Sequence, residues 1–397
     1  MAWACSVCDF CVSGDAASLT PVLRLCYNAL SSKDEPMKAV ILVGGKATRL
    51  LPLSVNTPKS LVPVVNVPIL EHVINHVSEH GIKEIVLAQG HLAQSIVDYF
   101  GDGRRLGVTI HHSYEQVPLG SAGAAKNAEK YLDGAFLVLN SDIFSDLDFT
   151  AMLELHKKSG AKATIATTPV EDPTMYGLVE SDRTGKVSRF LEKPKREEVT
   201  TNMINAGAWF VEGDVLARVP ADTNFSFERN VFPQLLAEGQ PVYAFGSSGY
   251  WIDMGTPEKY LQLHRDLLSG KCRRYKLPKS EAPVVGQGTI VDKNASIRGR
   301  VILGAECSVG AGARLEGPVV LGAGCTIGEG ATVRDSVMWR NARIGTNATV
   351  TSSVLADNCL LEAGCTVTGA VLGDNVVVAA GAKVPAGAKL DPGTHFG

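Results

Sequence analysis

No stretch of about eighteen uncharged apolar residues occurs in this chain of 397 residues, so no membrane-spanning helix is expected. The first 23 residues hold neither Lys nor Arg and no long apolar run, which leaves no secretory signal, and the reading is a soluble, cytoplasmic protein. An excess of charge of one sign is missing as well. The 38 Lys+Arg nearly balance 41 Asp+Glu, a formal net charge of -3, so there is no basic footprint for nucleic acid. Aromatic residues make up only 6%, whereas glycine reaches 40 and gathers with Ala and Val toward the C-terminus, where it hints at a repeat. The nine cysteines are Cys5, Cys8, Cys11, Cys26, Cys272, Cys307, Cys325, Cys359 and Cys365. An odd number in a long chain without an export signal argues against a disulfide framework and for reduced thiols.

What is present is ample apolar material, 45% hydrophobic against 20% charged, at a length that suggests two domains. Residues 1–36 show no sustained periodicity and end in the polar run Ser31-Ser32-Lys33-Asp34-Glu35-Pro36, so they read as a disordered or spuriously translated extension with Met37 as the alternative start. Cys5, Cys8 and Cys11 have a spacing that suits an iron–sulfur cluster or zinc, but a fourth ligand is not evident and no metal is assigned there. From Lys38 the pattern alternates between strand and helix. Ala39-Val40-Ile41-Leu42-Val43 is a continuous apolar run, as a strand buried on both faces requires, and Gly44-Gly45 ends it. Leu70, Val73, Ile74 and Val77 form one apolar stripe on a helix closed by Gly81, and Glu84–Ala88 is the next strand. Strands at Val108–His112, Phe136–Leu139 and Ala163–Thr167, with a helix near Ala151–Lys158, extend this to an α/β fold over residues 37–268. The expected form is a Rossmann-like open, mostly parallel sheet with helices on both faces, whose ligands belong at the carboxyl ends of the strands. His72, His76 and His80 recur at a spacing that could bind a metal, but His72 and His76 lie opposite the apolar stripe and read as a solvated face.

Beyond a linker at residues 269–283 the rule changes. Small or β-branched residues recur at Thr289, Cys307, Cys325, Ala342, Cys359 and Val376, and a second ladder runs through Ala295, Ala313, Ala331, Ala348, Cys365 and Ala382. A third runs through Val301, Val319, Val337, Val354, Val371 and Ala388. Successive members lie 18, 18, 17, 17 and 17 residues apart, which gives three short flat faces per turn and about six coils from Val284 to Leu390. This is a parallel β-helix over residues 284–397, and it resembles the hexapeptide-repeat family, whose coil is left-handed against the usual crossover rule. Cys307, Cys325, Cys359 and Cys365 occupy ladder positions and read as small buried hydrophobes rather than metal ligands.

The loop Gly44-Gly45-Lys46-Ala47-Thr48-Arg49-Leu50 follows the first strand directly, so backbone N–H groups can face a phosphate chain while Arg49 supplies a forked cation. It matches neither the dinucleotide fingerprint nor the P-loop. Thr57-Pro58-Lys59-Ser60 then brings a second cation near the same strand end. Together with Pro118-Leu119-Gly120-Ser121-Ala122-Gly123, Asn140-Ser141-Asp142, Tyr176-Gly177, Glu192-Lys193-Pro194, Asn205-Ala206-Gly207 and Trp251-Ile252-Asp253-Met254-Gly255-Thr256-Pro257, these motifs resemble the sugar-1-phosphate nucleotidyltransferases, in family order. Asn202–Gly207, Val231-Phe232-Pro233 and the long tail are most similar to mannose-1-phosphate guanylyltransferases.

The resemblance implies attack by a sugar-1-phosphate oxygen on the α-phosphorus of a nucleoside triphosphate, with pyrophosphate leaving. Bringing two polyanions together calls for cations, a metal and in-line positioning rather than a covalent nucleophile. By the same resemblance Arg49 and Lys59 grip the triphosphate beside Gly44, Gly45 and Thr48, and Asp142 and Asp253 hold Mg²⁺. Gly120 and Ser121 approach the base, with Ser in place of the family's Thr. Glu192, Gly177 and Asn205 line the sugar pocket, and Lys193 pairs with the sugar phosphate. GTP with mannose-1-phosphate is the leading pair, and UTP or dTTP with glucose-1-phosphate the alternative.

Two positions depart from the family: Ala47 stands where Gly is usual and Leu51 where Arg is often found. If position 47 needs positive φ, Ala costs on the order of 1 kcal/mol. Two rival readings follow. Hexapeptide coils also serve acyltransferases that use a catalytic His, but after His264 only His395 remains, beyond the coils. A non-catalytic NDP-sugar sensor would be consistent with Ala47, yet it would not need both Asp142 and Asp253. The open end of the coil suggests a homo-oligomer.

Overall fold

The computed structural model describes residues 37–45, 47–90, 92–278, 280 and 282–397. The readings of residues 1–36, including Cys5, Cys8 and Cys11, lie outside the described residues. The first thirteen strands in chain order are β1 (Lys38–Val43), β2 (Pro63–Val64), β3 (Val67–Pro68), β4 (Glu84–Gln89), β5 (Thr109–Tyr114), β6 (Phe136–Asn140), β7 (Ile143–Ser145), β8 (Ala163–Pro169), β9 (Gly177–Ser181), β10 (Val187–Glu192), β11 (Met203–Val211), β12 (Val242–Gly246) and β13 (Trp251–Asp253). The apolar run of β1 is central because it is flanked on both sides: β4 and β6 pair with it in parallel, and β5 extends the row beyond β4. β11 is antiparallel to β6 and carries β8 and β9, so the nine-stranded sheet is mixed, with a parallel heart. Helices Ile69–Glu79 and Phe149–Ser159 pack on one face and Gly120–Asn127 and Phe232–Ala237 on the other, each against its own apolar cluster.

One expectation fails on helix Ile69–Glu79. His72 and His76 are 8% and 5% exposed, not solvated. The segment read as linker covers them: Arg274 stacks 4.7 Å over Phe144 and donates to the His72 carbonyl, while Asp146 accepts from the Cys272 thiol and the amides of Arg273 and Arg274. His72 Nε2 donates to the Val64 carbonyl at 2.9 Å, and the His76 ring lies 4.7 Å from Phe149. Burial lowers the His76 pKa to about 3.

From Val284 onward the strands are two or three residues long, apart from Arg314–Leu321 and Thr332–Met338, and every pairing is parallel, with each coil stacked on the next in register, as in Val301↔Val319, Val333↔Val350 and Ile344↔Leu361. The four ladder cysteines are at most 1% exposed, and Cys307, Cys325 and Cys359 donate to the carbonyls of Gly322, Trp339 and Gly373. Glycine follows the aliphatic residue because the next coil leaves no room: a Cβ at Gly345 would lie 2.7 Å from the Ala363 amide nitrogen. His395 is not beyond the coils; His395–Phe396 is the last strand and pairs with Val377–Val378.

Helix Pro257–Leu268 joins the two halves, and one apolar cluster spans them: Leu50, Val62, Tyr260 and Leu267 pack with Ile302, Val320, Val337 and Trp339. Tyr260 is fully buried, so its hydroxyl needs partners; it donates to the Pro63 carbonyl at 2.6 Å and accepts from Trp339 Nε1 at 2.9 Å. His264 accepts from the Val65 amide at 3.0 Å and donates to the Tyr260 carbonyl, and Arg265 grips Asp335 of the coil with two nitrogens. Tyr260→Phe would leave two buried groups unpaired and is expected to cost about 1–3 kcal/mol, read as a lower midpoint in urea; an unchanged midpoint would show that the hydroxyl contributes nothing. Burial also lowers the His264 pKa to about 4. Because that lies below the unfolded value near 6.5, the associated stability is full above pH 6.5 and is lost as pH falls toward 4. His264 alone is expected to cost about 2 kcal/mol by pH 5, so the drop in unfolding free energy between pH 7 and 5 is smaller in His264→Gln; identical drops would refute this.

Candidate active site

β1 and β6 end side by side, and beyond their carboxyl ends lies a cavity of about 230 Å³ whose wall includes Gly44, Gly45, Ala47, Lys59, Asn140 and Asp142. The loop after β1 turns back tightly. Gly45 has φ +108 and Ala47 has φ 47, the left-handed region, so the conditional cost raised for alanine applies here, on the order of 1 kcal/mol. The Ala47 carbonyl accepts from the Leu50 amide and the Ser54 hydroxyl, both at 2.9 Å, and fully buried Leu50 pins the following turn. Thr48 and Arg49 therefore stay exposed.

Lys59 begins a short turn, Lys59–Leu61, and its ammonium pairs with the Asp142 carboxylate at the end of β6. β13 pairs antiparallel with β7, placing Asp253 opposite Ile143, and the Met254 amide donates to the Asp142 carbonyl at 2.8 Å. The two aspartates are thus neighbours on one ribbon. Asp253 is 9% exposed, accepts from the Tyr176 hydroxyl at 3.1 Å and forms an ion pair with Lys259. Burial disfavours the Lys259 ammonium, but hydrogen bonds to Asp253 and Tyr176 outweigh it and raise its pKa. Gly255 leaves space where Arg49 and Asp253 converge: a Cβ there would lie 3.2 Å from Arg49 Nη2 and 3.1 Å from Asp253 Oδ2.

The remaining candidates lie outside that cavity's wall and form a second group. Gly120 and Ser121 open helix Gly120–Asn127, and the segment 223–228 backs them closely: a Cβ at Gly120, which has φ +71, would lie 2.7 Å from the Phe225 carbonyl oxygen. Ser121 donates to Glu228 at 2.5 Å and accepts from the Phe227 amide. Gly177 stands opposite Glu192 in the β9–β10 pair, and a Cβ on it would lie 2.9 Å from Glu192 Oε2. Burial raises the Glu192 pKa, with Glu228 adding to it and Lys193 and Arg229 opposing. Lys193 is exposed, with φ 51 and its amide bonded to the Tyr176 carbonyl. Asn205 has work inside β11, where its Oδ1 accepts from the Gly207 amide and Trp209 Nε1 and closes the irregularity in the strand.

Two carboxylates on adjacent strand ends, each otherwise held by a lysine, are a donor set that suits a hard divalent cation sharing its remaining positions with phosphate oxygens. Residues 38–270 match the family model described as nucleotidyl transferase. The chain belongs to that family. Residues 282–317 match a bacterial transferase hexapeptide model of six repeats, and residues 312–397 the LbH domain of the EIF2B epsilon subunit, which makes the coil a left-handed β-helix. The mannose-1-phosphate guanyltransferase of Yarrowia lipolytica is 39% identical over 269 residues, 66% of this chain and 73% of that one. The UTP–glucose-1-phosphate uridylyltransferase of Synechocystis is 35% identical over 286 residues, 68% and 74% of the two chains. Among solved structures, HddC from Yersinia pseudotuberculosis complexed with GMP-PN is similar at 29% identity and a TM-score of 0.50, covering 60% of this chain and all of that one.

Within this nucleotidyl transferase two groups escaped the sequence reading. Lys259 lies six residues beyond Asp253, one turn into the helix that Thr256 caps, so only the motif's continuation could have flagged it. Glu228 sits in a π-helical turn, Phe227–Val231, where no local pattern marks it.

Proposed function

We propose that this protein makes an NDP-sugar and pyrophosphate from a nucleoside triphosphate and a sugar-1-phosphate, with GTP and mannose-1-phosphate as the pair. The observation that carries the reading is the charge arrangement at one sheet edge: a glycine turn and Lys59 beside Asp142, with Arg49 and Asp253 converging over Gly255. Gly44, Gly45 and Thr48 would present backbone to the triphosphate, while Lys59 and Arg49 neutralise it. As the new oxygen–phosphorus bond forms and the bond to pyrophosphate breaks, negative charge moves onto the leaving group, and Arg49 is the cation assigned to it. Asp142 and Asp253 would hold Mg²⁺, which when bound screens the phosphate charges. Gly120 and Ser121 would face the base, and Gly177, Glu192, Lys193 and Asn205 the sugar phosphate.

Residues 37–268 act in this reading as the nucleotidyltransferase domain, 269–283 as the linker and 284–397 as an assembly module. Homo-oligomer formation through the coil is supported by its first strands, which pair on one side only and expose Val284, Val285 and Ile290. A cytoplasmic setting is supported by the cysteines among the described residues, Cys272, Cys307, Cys325, Cys359 and Cys365, which are buried free thiols. The Synechocystis relative favours a second pair, UTP with glucose-1-phosphate. Pyrophosphate release with Mg²⁺ is the test, over GTP, UTP, dTTP and ATP against both sugar phosphates. Release with GTP and mannose-1-phosphate alone is expected; release with no pair while NDP-sugar still raises the melting temperature would replace the enzyme with a sensor. Arg49→Ala is expected to lower turnover by on the order of 10²–10³ with an unchanged melting temperature, and an unchanged rate would remove Arg49 from its role.

A further inference from the structure

The two substrate-facing groups of candidates are not independent, and one side chain outside every sequence motif stands between them. Glu228 lies in the π-helical turn Phe227–Val231, and one of its oxygens, Oε2, accepts two hydroxyls: Ser121 at 2.5 Å and Ser226 at 2.6 Å. The Ser121 hydroxyl is held from its other side by the Phe227 amide at 2.9 Å, and the Ser226 hydroxyl accepts from the Arg229 amide at 3.2 Å. A charged acceptor strengthens both bonds. Around them the backbone is locked: the amides of Ala122 and Gly123 both donate to the Phe225 carbonyl at 3.0 Å, and the Phe225 amide donates to the Leu119 carbonyl at 2.8 Å.

The same turn packs against the strand that delivers Glu192. Phe190 of β10 and Phe232, one residue past the turn, hold their rings 5.2 Å apart, and Glu228 is the nearby carboxylate that disfavours the charge on Glu192. Glu192 in turn faces Gly177 across β9–β10.

We infer that Glu228 is a positioning residue that sets the base-facing segment 118–123 and the sugar-facing end of β10 as one unit, through Ser121 and the Phe227–Val231 turn. The inference rests on the substrate assignment above, and it states which residue couples the two halves of that site. It requires an acceptor at position 228 rather than a charge alone, because both contacts are hydroxyl donors.

The test measures KM for nucleotide and sugar phosphate and kcat, in Glu228→Gln and Glu228→Ala, with amide hydrogen exchange of residues 119–123 and 225–229 in the protein without substrates. Glu228→Ala is expected to raise both KM values about tenfold while kcat changes less, and to speed exchange in both segments. Glu228→Gln, which keeps a carbonyl acceptor, is expected to restore both KM values to within a few fold and the exchange rates with them. A rise in one KM alone, no rise in either, or an alanine variant whose exchange is unchanged overturns the coupling. Should the wild-type protein turn over no substrate pair, the exchange comparison still decides the coupling: faster exchange in both segments for alanine and rescue by glutamine support it, and any other pattern refutes it, while the substrate reading falls separately.

Discussion

Eight of the twelve residues of helix Pro257–Leu268 are buried, and that constraint ties the molecule together. Its interior side must satisfy Tyr260 and His264, which it does with Pro63, Val65 and Trp339, groups drawn from both halves. Its first turn carries Lys259 to Asp253, and its later turns carry Arg265 to Asp335 of the coil. A buried polar group without a partner costs more than the bond is worth when made, so the helix has one acceptable seating. Seating it places β13, and β13 places Asp253 beside the end of β6.

The carboxyl edge of the sheet is then a balance of charges. Asp142 is matched by Lys59 and Asp253 by Lys259, so neither carboxylate stands alone at a position largely removed from water. In the proposed reading the phosphates would take over the lysines while the cation takes the aspartates. The left-handed conformation of Ala47 is held by Leu50 and Ser54 rather than by the residue's own preference, which is how the loop tolerates a Cβ where glycine would be unstrained.

The repeat was legible because each coil imposes the same steric demand: ladder cysteines and alanines point inward, and glycine follows the aliphatic residue where the next coil's backbone closes in. The parallel heart of the sheet was legible for a related reason, since β1 is apolar from Ala39 to Val43, as a strand covered on both faces requires. His72 and His76 misled because helical periodicity sees one buried face at a time; a second cover, built from Phe144, Phe149 and Arg274, comes from far along the chain. His395 misled because a strand of two residues at the terminus has too little sequence to show a period. Asn205 was found as a motif residue, but its bond to Trp209 depends on an irregularity in β11 that no spacing predicts.

Sequence alone determined what depends on local period and on motif: the strand–helix alternation, the coil with its 17- and 18-residue spacing, and the candidates Arg49, Lys59, Asp142 and Asp253. Tertiary structure alone decided which of them meet. Lys259 reaches Tyr176 and Glu228 reaches Ser121, each in a distant segment, and a contact between distant segments is set by how helices and coils pack, for which the order of residues along one element carries no signal.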